Sequence, residues 1–192
     1  MSFTLPHSIA HYTLTQRLGE GGMGVVYRAR DERLGREVAL KMISGLSDEE
    51  ALKRFWREAR AAASVSHPNV CQIFEVSESP DGVYLAMELL AGEALDVRLQ
   101  RAVCAPRDAV QIAAQMLAAL GALHAQGLVH RDVKPSNVFL TPHGVKLLDF
   151  GLARPISDVT VRMDVPVSDQ ITRPGTLVGT PRYMAPEQVT GR

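Results

Sequence analysis

The stretch VHRDVKPSNVFL, residues 129–140, decides the fold, together with VKLLDFG at residues 145–151. The first stretch places three polar side chains in a loop between a helical pattern and a β-type run: Asp132, Lys134 and Asn137. The second stretch ends a further β-type run on Asp149. Two carboxylates and a carboxamide separated by a hairpin suit a site that orients a hydroxyl group and holds Mg²⁺ through oxygen ligands. We therefore expect the chemical centre of the protein here.

Upstream, LGEGGMGVVY at residues 18–27 contains a G-x-G-x-x-G pattern made by Gly19, Gly21 and Gly24. A dinucleotide-binding fold would need a helix after the glycines, but two β-branched valines follow. A Walker loop would need Gly-Lys-Ser or Gly-Lys-Thr, which is absent. The pattern that remains is a glycine-rich hairpin whose backbone N–H groups can close over phosphates.

Lys41 lies in a β-type run that follows this hairpin, in VALK. A surface lysine on an edge strand is the alternative interpretation. Glu58 falls on the next predicted helix, and a Lys41–Glu58 ion pair would hold the ammonium toward two phosphates. Glu49 and Glu50 are rival partners, but they occupy the first turn of that helix, where capping and the helix dipole account for acidic residues.

Hydrophobic periodicity predicts an α+β fold with two lobes. Strands at residues 12–18, 25–29 and 37–43, a helix from about residue 48 and a hairpin around residues 80–82 form an N-terminal lobe with an antiparallel sheet. Ser47 and Glu50 have the spacing of a capping box. A long helix follows, with Pro106 in its first turn and Gly127 just past its end. The expected division is an extension at 1–11, the sheet lobe at 12–88, a hinge at 89–93 and a helical lobe at 94–192.

The 192-residue composition argues against several classes of partner. Lys and Arg together number 21, as do Asp and Glu, so no net field favours nucleic acid or an anionic membrane. Two cysteines are too few for a disulfide framework. The sequence shows neither a secretory signal nor an apolar run of membrane-spanning length. We expect a soluble, cytoplasmic protein with no nucleic-acid partner and no membrane segment.

The ordered set G-x-G-x-x-G, V-A-L-K, H-R-D-x-K-x-x-N, D-F-G and A-P-E resembles the protein kinases from residue 12 onward. Lys134 and the stretch GTPRYMAPE at residues 179–187 are similar to the Ser/Thr branch, and the flanking residues look like the eukaryote-like kinases of bacteria. The resemblance implies a bilobal kinase fold, a Ser/Thr kinase activity that uses ATP and Mg²⁺, and a signalling role with a protein substrate that offers Ser or Thr. It stops soon after A-P-E, so the helical lobe would be incomplete, the chain would be truncated, and a catalytically silent ATP-binding fragment or scaffold is the alternative function.

The resemblance also implies roles for individual residues. Asp132 would orient the substrate hydroxyl, Lys134 would stabilise the transferring oxygens, and Lys41 paired with Glu58 would hold the α- and β-phosphates. Asp149 and Asn137 would bind Mg²⁺, and the three glycines would cover the phosphates. The residues expected around adenine and along the hinge are Leu18, Val26, Ala39, Met87, Glu88, Leu90 and Phe139.

Regulation is expected in the activation segment, residues 149–187. In the kinase arrangement three arginines would converge beneath it: Arg54, Arg131 and Arg154. Three guanidinium groups together favour an anion, so we expect phosphorylation of the segment, with Thr172 and Thr176 as preferred sites. Three separately solvated arginines are the alternative. Thr180 is expected to hydrogen-bond Asp132 and Lys134.

Overall fold

In the computed structural model, which describes residues 3–21, 24–46, 48–149 and 181–190, the N-terminal part forms a six-stranded antiparallel sheet. Its strands in chain order are β1 (His7–Ile9), β2 (Tyr12–Gly21), β3 (Gly24–Asp31), β4 (Arg36–Ile43), β5 (Ile73–Ser79) and β6 (Gly82–Glu88). In space they run β1-β2-β3-β4-β6-β5. The antiparallel sheet expected from the alternating runs is thereby confirmed. β1 lies within the segment 1–11 that was expected to be an extension. The sequence did not predict this strand, because three residues carry too little periodicity to be recognised.

Both faces of this sheet are covered. One face buries a cluster that includes three tyrosines: Ile9, Tyr12, Leu14, Tyr27, Val38, Leu40, Met42 and Tyr84. The other face packs against a helix, α1 (Glu49–Ala63), through Phe55, Ala59 and Ala62. This double burial explains why β4 is buried over five successive residues instead of every second one.

α1 begins after Asp48, whose carboxylate accepts a hydrogen bond from the Ala51 N–H at 2.6 Å. Asp48 is therefore the N-cap, whereas the sequence pattern pointed to Ser47, which lies outside the described residues. Acidic residues fill the first turn and Arg60 lies in the last turn, so both ends complement the helix dipole. The helix ends at Ala63, five residues before Pro68, since Ser64 caps it.

The second part begins with a two-residue strand and a short helix, β7 (Glu93–Ala94) and α2 (Leu95–Arg101), which the sequence analysis did not predict. A long helix, α3 (Pro106–Ala125), begins with proline at its first turn and is followed by Gly127 at φ +72°, as expected. The strands β8 (Val138–Thr141) and β9 (Gly144–Leu147) form a hairpin beside β7, and a short helix, α4 (Pro186–Thr190), closes the described chain. None of the helices in the described ranges combines the length and apolar character needed to cross a membrane.

One side chain of α3 fixes the position of the β8–β9 hairpin. Gln115 Oε1 accepts hydrogen bonds from the Val145 N–H at 2.7 Å and from Asn69 Nδ2 at 3.1 Å. The Asn69 amide also donates to the Val145 carbonyl at 2.9 Å. The segment after α1, the long helix and the hairpin are thus joined at one point, and residues 126–137 form the connection between α3 and β8.

Candidate active site

The glycine pattern spans the end of β2 and the start of β3, where Gly21 and Gly24 are register partners. Gly24 has φ +131°, and a Cβ there would overlap the Met42 carbonyl oxygen, so only glycine fits. A Cβ on Gly19 or Gly21 would meet nothing within 4 Å. Their lack of a side chain therefore does not serve local packing and leaves the backbone open to approach.

The residues predicted around adenine lie in β2, β3, β4, β6 and β8 and in the segment after β6, and we call the region that these elements border together with Asp132 and Asp149 the cleft. Leu18 in β2 is exposed, and Val26 in β3 is the register partner of Lys41. Ala39 in β4 is directly opposite Met87 in β6, and Glu88 ends β6. Leu90 and Phe139 are both half-buried, the latter in β8. Their binding role remains a prediction.

Lys41 lies in the middle of β4, and its side chain is only 9% exposed. Its ammonium contacts Asp149 Oδ1 at 2.7 Å, which joins the sheet to the end of the β9 segment across 108 residues of chain. The Lys41–Glu58 pair predicted from the sequence is not formed in this structure. An ammonium this buried needs a nearby carboxylate, and Asp149 meets that need in place of Glu58.

Glu58 on α1 instead contacts Arg131, with Glu58 Oε1 and Arg131 Nη1 at 3.1 Å. Arg54 pairs with Glu50, one turn earlier on the same helix, at 3.2 Å. Both arginines expected to receive a phosphate are thus neutralised by carboxylates of α1. The third arginine of that prediction, Arg154, and the sites Thr172, Thr176 and Thr180 lie outside the described residues.

Asp132 is the centre of the most compact polar group in the cleft. Its carboxylate oxygen Oδ2 lies 2.7 Å from Lys134 Nζ and accepts a hydrogen bond from Asn137 Nδ2 at 3.1 Å. The same amide nitrogen donates to the Asp132 backbone carbonyl at 2.8 Å. Because its amide nitrogen is used in this way, Asn137 keeps its carboxamide oxygen for another ligand. The structure therefore brings together three residues that the sequence placed in one loop.

Backbone conformation marks the same site. Among the described residues, only three that are not glycine have positive φ, and two of them are Arg131 at +64° and Asp149 at +50°. Such conformations cost free energy for these residue types and persist where the surrounding structure imposes them. Arg131 is held by Gln188 in α4, whose side-chain amide donates to the Arg131 carbonyl at 2.7 Å.

Gln188 is a site residue that the sequence analysis missed. Its carboxamide oxygen accepts from the Ala185 N–H at 3.0 Å, while its nitrogen holds the Arg131 carbonyl. Gln188 follows Ala185 by three residues, which is the spacing of the second half of a capping box and could have indicated the helix start. No sequence signal indicated its contact with residue 131.

His130 connects the loop that carries Asp132 to the segment that ends in Asp149. Its Nδ1 accepts from the Asp132 N–H at 3.3 Å, so Nε2 carries the proton and donates to the Leu148 carbonyl at 2.9 Å. Burial lowers the pKa of this imidazole below its ordinary value, although the Leu148 carbonyl and the charge of Asp132 oppose the shift. His130 is buried, and it also hydrogen-bonds both segments that carry the acidic residues.

Comparisons with known proteins agree with this geometry. The family model described as "Protein kinase domain" matches residues 12–192. Serine/threonine-protein kinase pkn3 of Myxococcus xanthus is 41% identical over 189 residues, which are 94% of this chain and 34% of that protein. Serine/threonine-protein kinase PknA of Mycobacterium tuberculosis is also 41% identical over 189 residues, again 94% of this chain and 42% of that protein.

Solved structures give the same result. A crystal structure of the Mycobacterium tuberculosis PknI kinase domain superimposes with a TM-score of 0.73 at 31% sequence identity, over 80% of this chain and 64% of that one. The chain therefore spans well under half the length of the curated relatives named above and about two thirds of this solved kinase domain. The relatives are Ser/Thr kinases by name and come from bacteria, and the family model covers residues 12–192. The chain belongs to the protein kinase family.

Proposed function

We propose that this chain carries the nucleotide site and phosphoryl-transfer centre of a Ser/Thr protein kinase, which moves the γ-phosphoryl group of Mg-ATP to a Ser or Thr hydroxyl of a protein substrate. The observation that carries the proposal is the contact set of Asp132, whose carboxylate lies against Lys134 and Asn137. A carboxylate that accepts a hydroxyl hydrogen, with a cation beside it, is the arrangement that phosphoryl transfer to an alcohol needs.

The chemistry of the residues present fits Mg-ATP. Asp149 and Asn137 offer oxygen ligands, and in the described residues no group of three or more His, Cys, Asp or Glu could hold a metal by itself. Mg²⁺ commonly takes one or two protein oxygens and completes its shell with substrate phosphates and water. Asp149 and Asn137 would hold the ion in that way. When bound, Mg-ATP supplies the transferable phosphoryl group and a metal charge that neutralises its oxygens.

The residues of the chain would then bind and orient the reactants. Asp132 accepts the hydrogen bond of the substrate hydroxyl and aims its oxygen for in-line attack. Lys134 lies beside Asp132, so its charge is already in place for the oxygens of the transferring group. Lys41 holds the α- and β-phosphates, and the backbone N–H groups of the glycine hairpin cover them from above.

The observed ion pairs support the further proposal that the described cleft is a resting arrangement. Lys41 contacts Asp149, so the charges proposed to bind the phosphates and the metal neutralise each other. Glu58, the proposed partner of Lys41, is neutralised by Arg131. For Lys41 to pair with Glu58, Arg131 must release Glu58. A phosphate on Thr172 or Thr176 is an anion that Arg131 could take in exchange, which is how we propose that activation-segment phosphorylation would act.

The same ion pairs also support the second candidate, an ATP-binding module without phosphoryl transfer. In that case Arg131 keeps Glu58, and Lys41 is never held in the position that transfer requires. The two functions share the nucleotide site and differ in turnover, so one set of measurements separates them.

The two cysteines support the proposed cytoplasmic setting. Cys71 and Cys104 are both free, and Cys71 is buried. Burial first, and then the charges of Glu88 and Asp149, raise the pKa of the Cys71 thiol to about 12. This thiol stays protonated and unreactive, as is common for cysteines in reducing compartments.

The test replaces Asp132 by Asn and measures Mg-ATP affinity by calorimetry and phosphate transfer to a Ser/Thr peptide substrate. We expect the affinity to stay within about threefold, while transfer falls about 10²- to 10⁴-fold because the hydroxyl loses its acceptor. Asp108→Asn, an exposed aspartate in the first turn of α3, is the matched control and should retain both properties. Transfer at the wild-type rate by Asp132→Asn would overturn the proposal.

The measurement is made both on the 192-residue chain and on a version extended to the length of the solved kinase domains. Binding together with transfer in either version supports the kinase. Binding without transfer in both versions supports the silent module. Absence of Mg-ATP binding in both versions overturns the two candidates together.

A further inference from the structure

The strands that border the nucleotide cleft on its two sides are hydrogen-bonded to one common segment, residues 69–72 between α1 and β5. The Leu147 N–H of β9 donates to the Asn69 carbonyl at 2.8 Å, and the Cys71 N–H donates to the Leu147 carbonyl at 3.0 Å. The Glu88 N–H, at the end of β6, donates to the Gln72 carbonyl at 2.9 Å. Segment 69–72 therefore lies between the strand that leads to the hinge and the strand that leads to Asp149.

An ion pair spans the same segment. Lys146 Nζ in β9 contacts Glu88 Oε2 in β6 at 2.8 Å, across 58 residues of chain. The ammonium also lies 3.5 Å from the Val70 carbonyl, and the Gln72 N–H donates to the same Glu88 oxygen at 3.3 Å. The side chains are 18% and 29% exposed, so water screens this pair less than a surface pair.

The ion pair of Lys146 and Glu88 links the adenine end of the proposed ATP site to its phosphate end. Glu88 ends β6, where the hinge that would meet adenine begins. Lys146 lies in β9, three residues before Asp149, which would hold the metal on the phosphates. In the sheet pattern of the described chain, the backbone bridge of Val70 with Leu147 joins segment 69–72 to β9. The ion pair adds to this bridge a side-chain link between the adenine end and the phosphate end of the cleft.

We propose that Lys146 is a positioning residue for nucleotide binding, which acts through Glu88 by holding the hinge at a set distance from the strand that leads to Asp149. The inference rests on the proposed ATP function and goes beyond it, since Lys146 is not among the residues proposed to bind ATP or the substrate. Without the ammonium, the Glu88 carboxylate would keep only the long hydrogen bond from the Gln72 N–H, and the side-chain link from β6 to β9 would be lost.

The experiment compares wild type with Lys146→Met, Glu88→Gln and the charge-reversed double variant Lys146→Glu/Glu88→Lys. Calorimetry gives the Kd for Mg-ATP and for adenosine, which probes the adenine end alone, and thermal unfolding gives Tm. We expect each single variant to bind both ligands about threefold to tenfold more weakly, as for loss of a half-buried charged pair. The reversed double variant should recover most of that loss, because it restores the link with the charges exchanged.

Lys53→Met is the matched control, since Lys53 forms an exposed pair with Glu49 on α1 at 2.6 Å. It should leave both Kd values unchanged. A lower Tm with unchanged Kd for adenosine in both single variants would show a merely structural role and overturn the inference while the ATP function stands. Failure of wild type to bind Mg-ATP or adenosine would overturn the ATP function, and the inference with it.

Discussion

Two groups of polar and charged side chains each surround one buried charged residue, Asp31 in the six-stranded sheet and Lys41 in the cleft, and the two are paired in different ways. The sheet cluster consists of His11, Tyr12, Asp31, Glu75 and Tyr84. Glu75 in β5 accepts from the Tyr12 hydroxyl at 2.7 Å and the Tyr84 hydroxyl at 2.9 Å, so the two phenols bring β2 and β6 to the edge strand. His11 Nε2 lies 3.7 Å from Asp31 and 3.6 Å from Glu75.

Asp31 shows how the sheet cluster is stabilised. It is 1% exposed, and one carboxylate oxygen accepts from the N–H groups of Arg33 and Leu34, each at 3.1 Å. Burial alone would raise its pKa, but the Leu34 N–H, the Arg36 side chain and the Arg33 N–H lower it below the usual value. These donors belong to the turn that joins β3 to β4, so they remain in place for as long as the sheet is folded.

In the cleft cluster of Lys41, Glu58, Arg131, Asp132, Lys134 and Asp149, each carboxylate contacts the cationic end of a long side chain instead. Lys41 reaches Asp149 and Arg131 reaches Glu58 from distant parts of the chain. Such pairs can exchange partners with little change in the total number of contacts. The comparison teaches that a buried charge alone does not indicate a functional site, and that an exchangeable partner distinguishes the cleft.

Asp31→Ala should cause the largest loss of stability and tests the role of the sheet cluster. It removes the acceptor of two turn N–H groups and the partner of Arg36 at 3.3 Å, so we expect a loss of about 2 to 3 kcal/mol in the free energy of unfolding, measured in urea. Asp81→Ala, at a half-buried aspartate in the β5–β6 turn, is the control and should cost less than about 1 kcal/mol. Mg-ATP affinity should be unchanged in folded protein. A cost at Asp31 no larger than that at Asp81 would contradict the distinction.

Lys41→Met should show the opposite behaviour. The methionine fills the same volume without a buried charge, and Asp149, whose side chain is 37% exposed, can be solvated by water. We expect the free energy of unfolding to change by less than about 1 kcal/mol, or to rise, because a buried ion pair often stabilises no better than apolar packing. Mg-ATP affinity should fall about tenfold or more.

Urea unfolding and calorimetry on the same sample check both expectations for Lys41→Met. Lys41→Arg is the control that separates charge from shape. It keeps the positive charge, but a guanidinium does not replace an ammonium at a tight contact. A large loss of stability in Lys41→Met with normal ATP affinity would place Lys41 with the structural residues of the sheet cluster.

The sequence predicted the parts of the cleft that are close together in the chain. Asp132, Lys134 and Asn137 fall within six residues, so their spacing alone indicated one loop, and the structure joins them by direct contacts. The strands and both long helices followed from periodicity and end signals, because each is long enough to show a pattern. α2 and β1 were missed because they are short.

Contacts between distant segments could not be predicted in the same way. Lys41 could pair with Glu58 or Asp149, and Glu58 could pair with Lys41 or Arg131. The free-energy difference between these alternative ion pairs depends on the position of α1 to within an ångström or two. The sheet cluster was missed for a related reason: nothing near Asp31 in the chain indicates burial, which arises when the curled sheet brings Glu75 and His11 beside it. Gly24 was predicted in part: the sequence showed that it belongs to the G-x-G-x-x-G pattern, but not that its backbone lies close to the Met42 carbonyl.

Replacing His130 should have the smallest effect on stability. The pH dependence of that effect tests how a group in the cleft contributes to stability. Since its folded-state pKa lies below the unfolded value of about 6.5, the unfolded chain binds more protons as the pH falls below that value. The stability that neutral His130 contributes is therefore fully present above about pH 6.5 and is lost as the pH falls toward the folded-state pKa. A protonated ring could no longer accept the Asp132 N–H at Nδ1, so the loss should be felt at the catalytic loop.

The measurement compares urea midpoints of wild type and His130→Phe at pH 7.5 and pH 5.5. We expect the wild type to lose more stability between the two values than the variant, with a difference of about 1.4 kcal/mol for each unit by which burial lowers the pKa. The other histidines are common to both proteins, so their titration cancels in the comparison. Equal pH dependence in the two proteins would mean that His130 titrates as an exposed histidine does and that its two hydrogen bonds do not depend on the neutral ring.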